Sequence, residues 1–526
     1  MMALQNFLIQ GIARSPSPDS RAHKRSILWV AIILGLWLVV VTVTAARHEF
    51  WRDEIRALSL ARSSDSLLDL YRRTQYDGHP SLWFLLLYLG TALVDSPLVL
   101  PALSLTLAFA AVTLFMLTAP FALWIRGLII FSALPLYEYS VTARNYGISM
   151  LLMILTAALY RRRAQHPLLM GVVLALLANT NVHSTILTAI FAGIWMWDRM
   201  IQRGEEIANS QSLPFWIAQG FVVGGIALSI IWAWPRQDTI LTNVHRTLNV
   251  RALQTALGES TLLPGQAFSA LMPDWADWSI NLLLPLGALG LLSRPPLFLA
   301  ALGAQVALGS FFQLAYWGQY RHQGLLLIFL ISLYWFYVES VDTGRLSRRA
   351  TTLFALGSAA LLILIAGNVL KAGNLVRQDV NRPMSSSQAF GEFLASSPVY
   401  HDAIIVPEPA YLVESLPYYV PNRIYFPREG RFGTTVSWTT AASTTMSLGD
   451  LLSVARDLAT QFDQPVLILY GHRARIRAAS QSVPYSYNKV FAWTPEQAED
   501  FKAATSLVGD FKEAVNDERY EIYALQ

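Results

Sequence analysis

Apolar and polar positions divide this chain into two regimes. Up to residue 370 the apolar positions form long unbroken runs, with charge confined to the gaps. The runs cover roughly 26–45, 81–95, 98–118, 127–138, 146–160, 167–182, 184–200, 215–234, 278–292, 297–316, 323–338 and 351–370. About 20 apolar residues in a helix cross the hydrocarbon layer of a bilayer. The runs therefore predict a polytopic α-helical membrane protein. From 371 onward the pattern shortens to period 2, in AIIVPE (403–408), RIYFP (423–427), PVLILYG (465–471) and YEIYAL (520–525). Stretches with helical spacing, such as SLGDLLSVARDLATQF, lie between them. Strands alternating with helices predict a small α/β domain.

The gaps orient the runs. Arg161-Arg162-Arg163, Arg199 and Arg203, Arg294, and Arg345, Arg348 and Arg349 sit in short loops. Arg14, Arg21, Lys24 and Arg25 precede the first run. The positive-inside rule places all of them in the cytoplasm, which requires one early run not to cross. Run 81–95 is the shortest clean candidate, bounded by His79-Pro80 and Asp95-Ser96-Pro97. It reads as an interfacial or re-entrant helix, leaving eleven spans in a range of about 11–13. The organisation expected is a cytoplasmic tail (1–25), a membrane domain (26–370) with external loop 46–97, and an extracytoplasmic α/β domain (371–526). Within loop 46–97, ALSLARSSDSLLDLYRR predicts an amphipathic helix lying on the membrane. TNVHRTLNVRALQTALGES, in external segment 235–277, predicts another.

Composition agrees. Charged residues make up 14%, against about 25% in soluble domains, so much of the surface faces lipid. The 16 Trp and 21 Tyr suit aromatic belts. A net charge of +4 is too small to imply nucleic acid. Without cysteine there is neither disulfide nor thiolate metal site. The N-terminal stretch lacks the pattern of a signal peptide. The C-terminal region lacks a P-loop and a GxGxxG fingerprint, so no nucleotide site is expected there.

On this topology the polar clusters fall on the external side. They are Asp53-Glu54 in EFWRDEIRALSL, Asp77-Gly78-His79-Pro80, Glu138, Arg144 and Tyr146 in YEYSVTARNY, Asn179, Asn181 and His183 in NTNVHS, and Tyr320-Arg321-His322-Gln323. Singly each has a plain explanation: a solvated turn, a helix N-terminus, an interface anchor, a Glu138–Arg144 pair. Jointly, acids, Arg and His at one bilayer surface predict a single wet cavity. A carboxylate there suits general-base catalysis on an acceptor hydroxyl. Arg144 and Arg321 suit bidentate binding of a phosphate. A phosphate held at a membrane surface suggests a lipid phosphate. These residues point to transfer of a group from a lipid-phosphate donor to an acceptor outside the cytoplasm.

At these positions the chain resembles the GT-C superfamily of polyprenyl-phosphate-sugar glycosyltransferases. The similarity is to the branch of protein O-mannosyltransferases and lipid A aminoarabinose transferases. Asp53-Glu54 matches the Asp-Glu motif after the first span, and His79-Pro80-Ser81-Leu82 matches a His-Pro-Pro-Leu-like element. Tyr139-Ser140-Val141-Thr142-Ala143-Arg144-Asn145-Tyr146 matches a Tyr-Ser-x-x-Ala-Arg-x-Tyr element, and Asn181-Val182-His183 loosely matches a Thr-His-like tip. The second proline is Ser81, and Thr142 stands where the family often has an acid. The resemblance implies Asp53 as general base, Glu54 supporting it or binding sugar, and Arg144, Arg321 and His322 on the donor phosphate. It leaves a divalent metal open. It implies an inverting reaction in the plasma membrane. The sugar moves from a polyprenyl-phosphate donor to an extracytoplasmic glycan, lipid or protein acceptor. His183, His79, Asp77, Glu138, Tyr146 and Tyr320 complete the expected substrate site. The rival classes are a transporter or flippase for lipid-linked sugars, which predicts polar residues along the spans and helices broken at mid-membrane, and a non-catalytic scaffold of an envelope polysaccharide system.

Overall fold

The computed structural model describes residues 20–201, 212–240, 254, 277–315, 318–341, 346–471, 476, 479–485 and 489–526. The amphipathic helix expected within 242–260 lies outside them, as do Arg14, Arg203 and Arg345.

All twelve apolar runs fall on helices. They are α1 Ser20–Ala45, α4 Leu82–Leu93, α5 Val99–Thr118, α6 Leu123–Ile130, α7 Tyr146–Tyr160, α8 Pro167–Ala178, α9 Val182–Ile201, α10 Ser212–Ala233, α11 Asp277–Leu289, α12 Pro295–Leu314, α13 Tyr320–Ser340 and α14 Arg348–Asn381. Among the described residues, six segments are long and apolar enough to cross a bilayer: Ser26–Ala45 within α1, Leu213–Ala233 within α10, and helices α5, α12, α13 and α14. The chain is thus a multi-pass membrane protein with a C-terminal domain containing strands.

Helix ends sort by charge. At one end the C-terminus of α7 meets that of α9, where Tyr160 and Arg163 both bond Asp198. Ser293, just before α12, bonds Tyr337 near the end of α13. The basic loop residues gather there. At the opposite end lie the N-termini of α7, α9 and α13 and the C-termini of α1 and α14. Helix α4 begins and ends on that second side: the Leu82 amide donates to Asn179 O (3.0 Å), and the Val94 turn leads straight into α5.

Three segments depart from the pattern read in the sequence. Run 127–138 is not one helix: α6 stops at Ile130 and a π-turn occupies Leu134–Glu138. Pro135 lacks the amide proton an α-helix would need there. Helix α14 runs 11 residues beyond the apolar run that ends at 370, so the domain boundary expected at 371 lies inside a helix. At 34 residues α14 reaches about 51 Å, longer than the roughly 30 Å hydrocarbon layer, so the fall in hydropathy does not mark its end.

The expected membrane-lying helix at 57–73 is instead two helices, α2 Arg52–Arg62 and α3 Leu67–Thr74. The break falls where the Ser63 and Ser64 hydroxyls bond back to the Ser59 and Leu60 carbonyls, an alternative to helix continuation. Ser66 then caps α3. Nor does α2 lie free on a surface. Ile55, Leu58 and Ala61 pack into a buried cluster with Trp83, Phe84 and Leu87 of α4. Helix α3 leaves Leu67 and Leu68 exposed.

In the C-terminal domain β1 Ile404–Glu408, β2 Val466–Gly471, β3 Thr505–Phe511 and β4 Tyr520–Leu525 form one sheet in the order β1-β2-β4-β3. β1 pairs parallel with β2, and the other pairs are antiparallel. The period-2 alternation splits each strand between two cores. Ile405, Leu467, Leu469 and Ile522 face helix α15 (Ser387–Ser396). Ile404, Val406, Ile468 and Tyr470 face α16 (Leu448–Phe462) and α17 (Pro495–Ala504).

Candidate active site

Asp53 and Glu54 occupy the first turn of α2, where acids suit the helix dipole. Consecutive residues on a helix point about 100° apart, and the two carboxylates part company.

Asp53 faces the open side and is 37% exposed. Its Oδ2 receives Arg144 Nη1 at 2.6 Å and lies 3.9 Å from Arg321 Nη2. Arg144 comes from the loop before α7 and Arg321 from the first turn of α13. Both guanidiniums are nearly buried, at 12% and 11%. Burial pushes the Asp53 carboxyl up, but Arg144, Arg321 and Arg52 outweigh it and hold it below the ordinary carboxylate range. Arg321 also lies over the Trp51 ring, 5.0 Å from its centre, and donates to Gln319 Oε1 (2.8 Å). The Tyr139 hydroxyl donates to Arg321 O (2.7 Å), fixing the start of α13 against the π-turn.

A polar chain leads away from Arg144. Its Nη2 is 3.4 Å from His79 Nε2. His79 Nδ1 faces Asp77 Oδ2 (3.1 Å), and Asp77 Oδ1 accepts from Arg56 Nε (2.6 Å). Arg56 Nη1 donates to Glu414 Oε1 of the C-terminal domain (2.5 Å). Burial raises the Asp77 carboxyl, yet His79 and Arg56 hold it well below the usual range. Gly78, between Asp77 and His79, has a φ of +69°. A side chain there would be strained, so glycine permits this turn.

On the other flank is an aromatic wall. Arg144 lies 6.0 Å from the Tyr146 ring centre, Tyr146 is edge-on to His322 at 5.5 Å, and His322 is 5.1 Å from His183. His183 is buried between Phe311 and Phe312, and neither ring nitrogen has a hydrogen-bond partner among the described residues. His322 Nδ1 accepts from the Gln319 amide (2.9 Å).

Glu54 turns inward and is fully buried. Its Oε1 accepts from Ala143 N (2.7 Å), and its Oε2 accepts from Trp51 N (3.3 Å). It therefore ties α2 to the Arg144 loop and presents no carboxylate to an open site. Glu138 does not pair with Arg144; its charged neighbours are Arg321, Lys371, Glu54 and His48. Tyr320 turns towards α14, where its hydroxyl bonds Asn368 and Lys371 Nζ lies 3.3 Å from its ring centre. Asn179 and Asn181 serve the backbone: Asn179 Nδ2 donates to Ala175 O and Gly225 O, and Asn181 Oδ1 accepts from Ser184 N.

Several site residues carried no signal in the sequence pattern. His48 sits between Glu54 and Asp379. Arg52 bonds Asp517 through Nη1 (2.5 Å) and gives its amide to Glu518 Oε1 (2.7 Å). The one available hint was charge inside a helix: Arg52 and Arg56 stand four apart in α2, on a face otherwise apolar.

These donors do not fit a divalent cation. Among the described residues no group of three or more His, Asp or Glu is placed to hold one. The carboxylate at the centre is flanked by guanidiniums, which repel a cation. The arrangement suits an anion: two arginines converge on one carboxylate, leaving a positive balance beside a half-open carboxylate. A separate small apolar cavity of about 10 Å³ lies between α5, α6, α7 and α13, lined by Phe115, Ile130, Met150, Ile331 and Trp335. Its walls contain no ionisable group.

No family model matches the chain, and no curated protein matches it. Among solved structures it is similar to ArnT from Cupriavidus metallidurans bound to undecaprenyl phosphate. The identity is 11%, over 94% of this chain and 98% of that one, with a TM-score of 0.47. Apo ArnT from the same organism gives 12%, 96%, 98% and 0.44. The arabinofuranosyltransferase AftD from mycobacteria gives 14% identity over 97% of this chain and 40% of that one, with a TM-score of 0.32.

Proposed function

We propose that this protein is a membrane glycosyltransferase of the GT-C kind. It moves a sugar from a polyprenyl-phosphate carrier to a glycan, lipid or protein acceptor on the outer side of the plasma membrane. The observation that carries this is the carboxylate of Asp53 held between Arg144 and Arg321 at the end of the helical body.

The pair makes chemical sense as a resting state. The donor is a phosphodiester, and its phosphate competes with Asp53 for the two guanidiniums. As the arginines turn to the phosphate, Asp53 loses its partners and its basicity rises towards that of an ordinary carboxylate. Asp53 then takes the proton of the acceptor hydroxyl. The acceptor oxygen bonds the anomeric carbon from the face opposite the phosphate. The carbon–oxygen bond to phosphate breaks, and polyprenyl phosphate leaves with the electron pair. The sugar configuration inverts. Arg144 and Arg321 take up the charge that develops on the leaving phosphate. Tyr146, His322 and His183 form the wall beside the arginines, and His79 with Asp77 holds Arg144 from behind. No metal enters any step. The helical body through the end of α14 at Asn381 is the catalytic membrane domain, and the chain beyond it is an extracytoplasmic domain that braces α2.

The test is transfer in membranes supplied with a prenyl-phosphate sugar. Asp53→Asn should lower turnover by about 10³-fold or more while leaving donor binding in place, within the range set by loss of a general base. Full transfer by Asp53→Asn sinks the assignment. Donor movement across vesicles without transfer would identify a flippase. No affinity for prenyl phosphate would identify a scaffold.

A further inference from the structure

Behind the Asp53 carboxylate lies a second, buried set of charges that the reaction above does not use. His48 follows α1 in the six-residue connection to α2. Its Nε2 lies 3.2 and 3.1 Å from the two Glu54 oxygens, and its Nδ1 lies 3.1 and 2.9 Å from those of Asp379. All three side chains are at most 1% exposed. Asp379 stands near the end of α14, in the extension beyond the apolar run. Tyr137 of the π-turn also faces Asp379, and its ring is edge-on to His48 at 6.3 Å. The other charged groups near this set are Glu49, beside His48 and Asp379, and Glu138, near Glu54.

A neutral imidazole has one donor and one lone pair. Here both nitrogens face carboxylates, so only the imidazolium satisfies both. Burial works against that charge, but Glu54 and Asp379 raise His48 to about 10. The ring is therefore a fixed brace at neutral pH rather than a titrating group. What it braces is specific. Glu54 accepts the Ala143 amide at 2.7 Å, and Asp53 meets Arg144 at 2.6 Å. Residues 53 and 54 are neighbours, as are 143 and 144. The two contacts form adjacent rungs between the same two backbone segments, one buried and one facing the open side. The buried rung sets the spacing of the open one.

We propose that His48, anchored by Asp379, is a positioning residue that fixes the Asp53–Arg144 distance through Glu54. It touches no substrate. The kinetic part of this inference rests on the transfer reaction proposed above; the structural part does not.

His48→Gln is the variant to make. A glutamine offers one donor and one acceptor, so its carbonyl oxygen meets a carboxylate and one bridge is lost. The primary readout is the titration of Asp53, measured by infrared difference between each protein and its own Asp53→Asn partner, without substrate. Loosening the Asp53–Arg144 pair should move that titration up by about one pH unit, which is a tenfold change in proton affinity. Losing the buried rung also displaces Arg144 from its place on the phosphate, which outweighs the weaker competition from Asp53, so donor KM should rise about tenfold, and the acid limb of kcat/KM should follow the titration. The double variant His48→Gln with Asp379→Asn restores an unbroken donor–acceptor chain and should recover most of both losses. A folded His48→Gln protein with unchanged Asp53 titration and KM overturns the proposal, as does a double variant no better than the single one. If His48→Gln does not fold, Asp379→Leu decides: it frees His48 from α14, and an unmoved Asp53 titration there also overturns it. A displaced titration in a protein whose wild type transfers no sugar would retire the proposed reaction while leaving the brace in place.

Discussion

At the scale of single residues, the two acids of one dipeptide have opposite fates. Asp53 meets arginine at a half-open surface, while Glu54 is sealed against a backbone amide. Their substitutions should differ accordingly. Asp53→Asn should yield a folded, inactive protein. Glu54→Gln replaces one acceptor by an amide that cannot accept, next to the His48 donor, and should lower the melting temperature as well as activity. Arg144→Lys keeps the charge but loses the planar fork, so donor KM should rise at least tenfold with a smaller effect on kcat, measured by steady-state transfer. The depressed Asp53 carboxyl also fixes a sign. It is ionised above its ordinary range in free enzyme, so its pairing contributes stability at neutral pH that is lost only as pH falls through the lowered value. The acid limb of wild-type kcat/KM should therefore lie below the ordinary carboxylate value of 3.8.

At the scale of elements, α2 is held from two sides. Helix α4 packs its apolar face, and the C-terminal domain grips its arginines. The two grips are unequal. Arg56 pairs with Glu414, which is 1% exposed, and with Asp77, which is 13% exposed. Removing a partner from buried charges costs about 3–5 kcal/mol. Arg56→Met should thus lower the melting temperature markedly. Asp517 is 43% exposed in its pair with Arg52, and exposed pairs contribute about 0–1 kcal/mol. Asp517→Asn should melt almost as wild type by differential scanning fluorimetry. The Arg144 loop has its own constraint at Gly147, in the first turn of α7. A Cβ there would stand 2.6 Å from the Tyr139 carbonyl oxygen, so Gly147→Ala must displace the loop. Transfer should fall at least tenfold although residue 147 reaches no substrate, and kcat and KM measured together will show it.

At the scale of the whole molecule, the helix ends carry the topology. The basic loops gather at one end of the bundle and the Asp53 site at the other. The cysteine-free sequence makes this easy to test. Single cysteines at Ala164, between α7 and α8, and at Val399, in the C-terminal domain, are both exposed. An impermeant maleimide added to intact cells should label Val399→Cys and spare Ala164→Cys until the membrane is opened. Labelling in the reverse order would invert the proposed orientation. His48 links the bundle to pH: its folded value is raised to about 10 from 6.5. The stability it contributes is complete below 6.5 and is lost as pH rises towards 10. Melting should therefore fall across that interval in wild type and less steeply in His48→Gln.

The extended apolar runs by themselves determined the helices, because lipid leaves a buried backbone no other way to satisfy its hydrogen bonds. Period 2 determined the core strands of the C-terminal sheet, because alternate side chains point to opposite faces. Charge in the loops separated the two ends, and the ordered motifs named Asp53, His79, Arg144 and His183. Proximity in space was decided only by the fold. Which of two adjacent acids faces the site depends on where α2 is clamped, and that clamp comes from residues 379, 414, 517 and 518, more than 300 positions away. No local pattern encodes a partner at that distance, and an isolated His48 or Glu414 looks like any polar residue in a loop. The Asp53-Glu54 dipeptide was legible as a place where chemistry belongs. Its division into a carboxylate facing the arginines and a carboxylate serving the frame was made by tertiary packing.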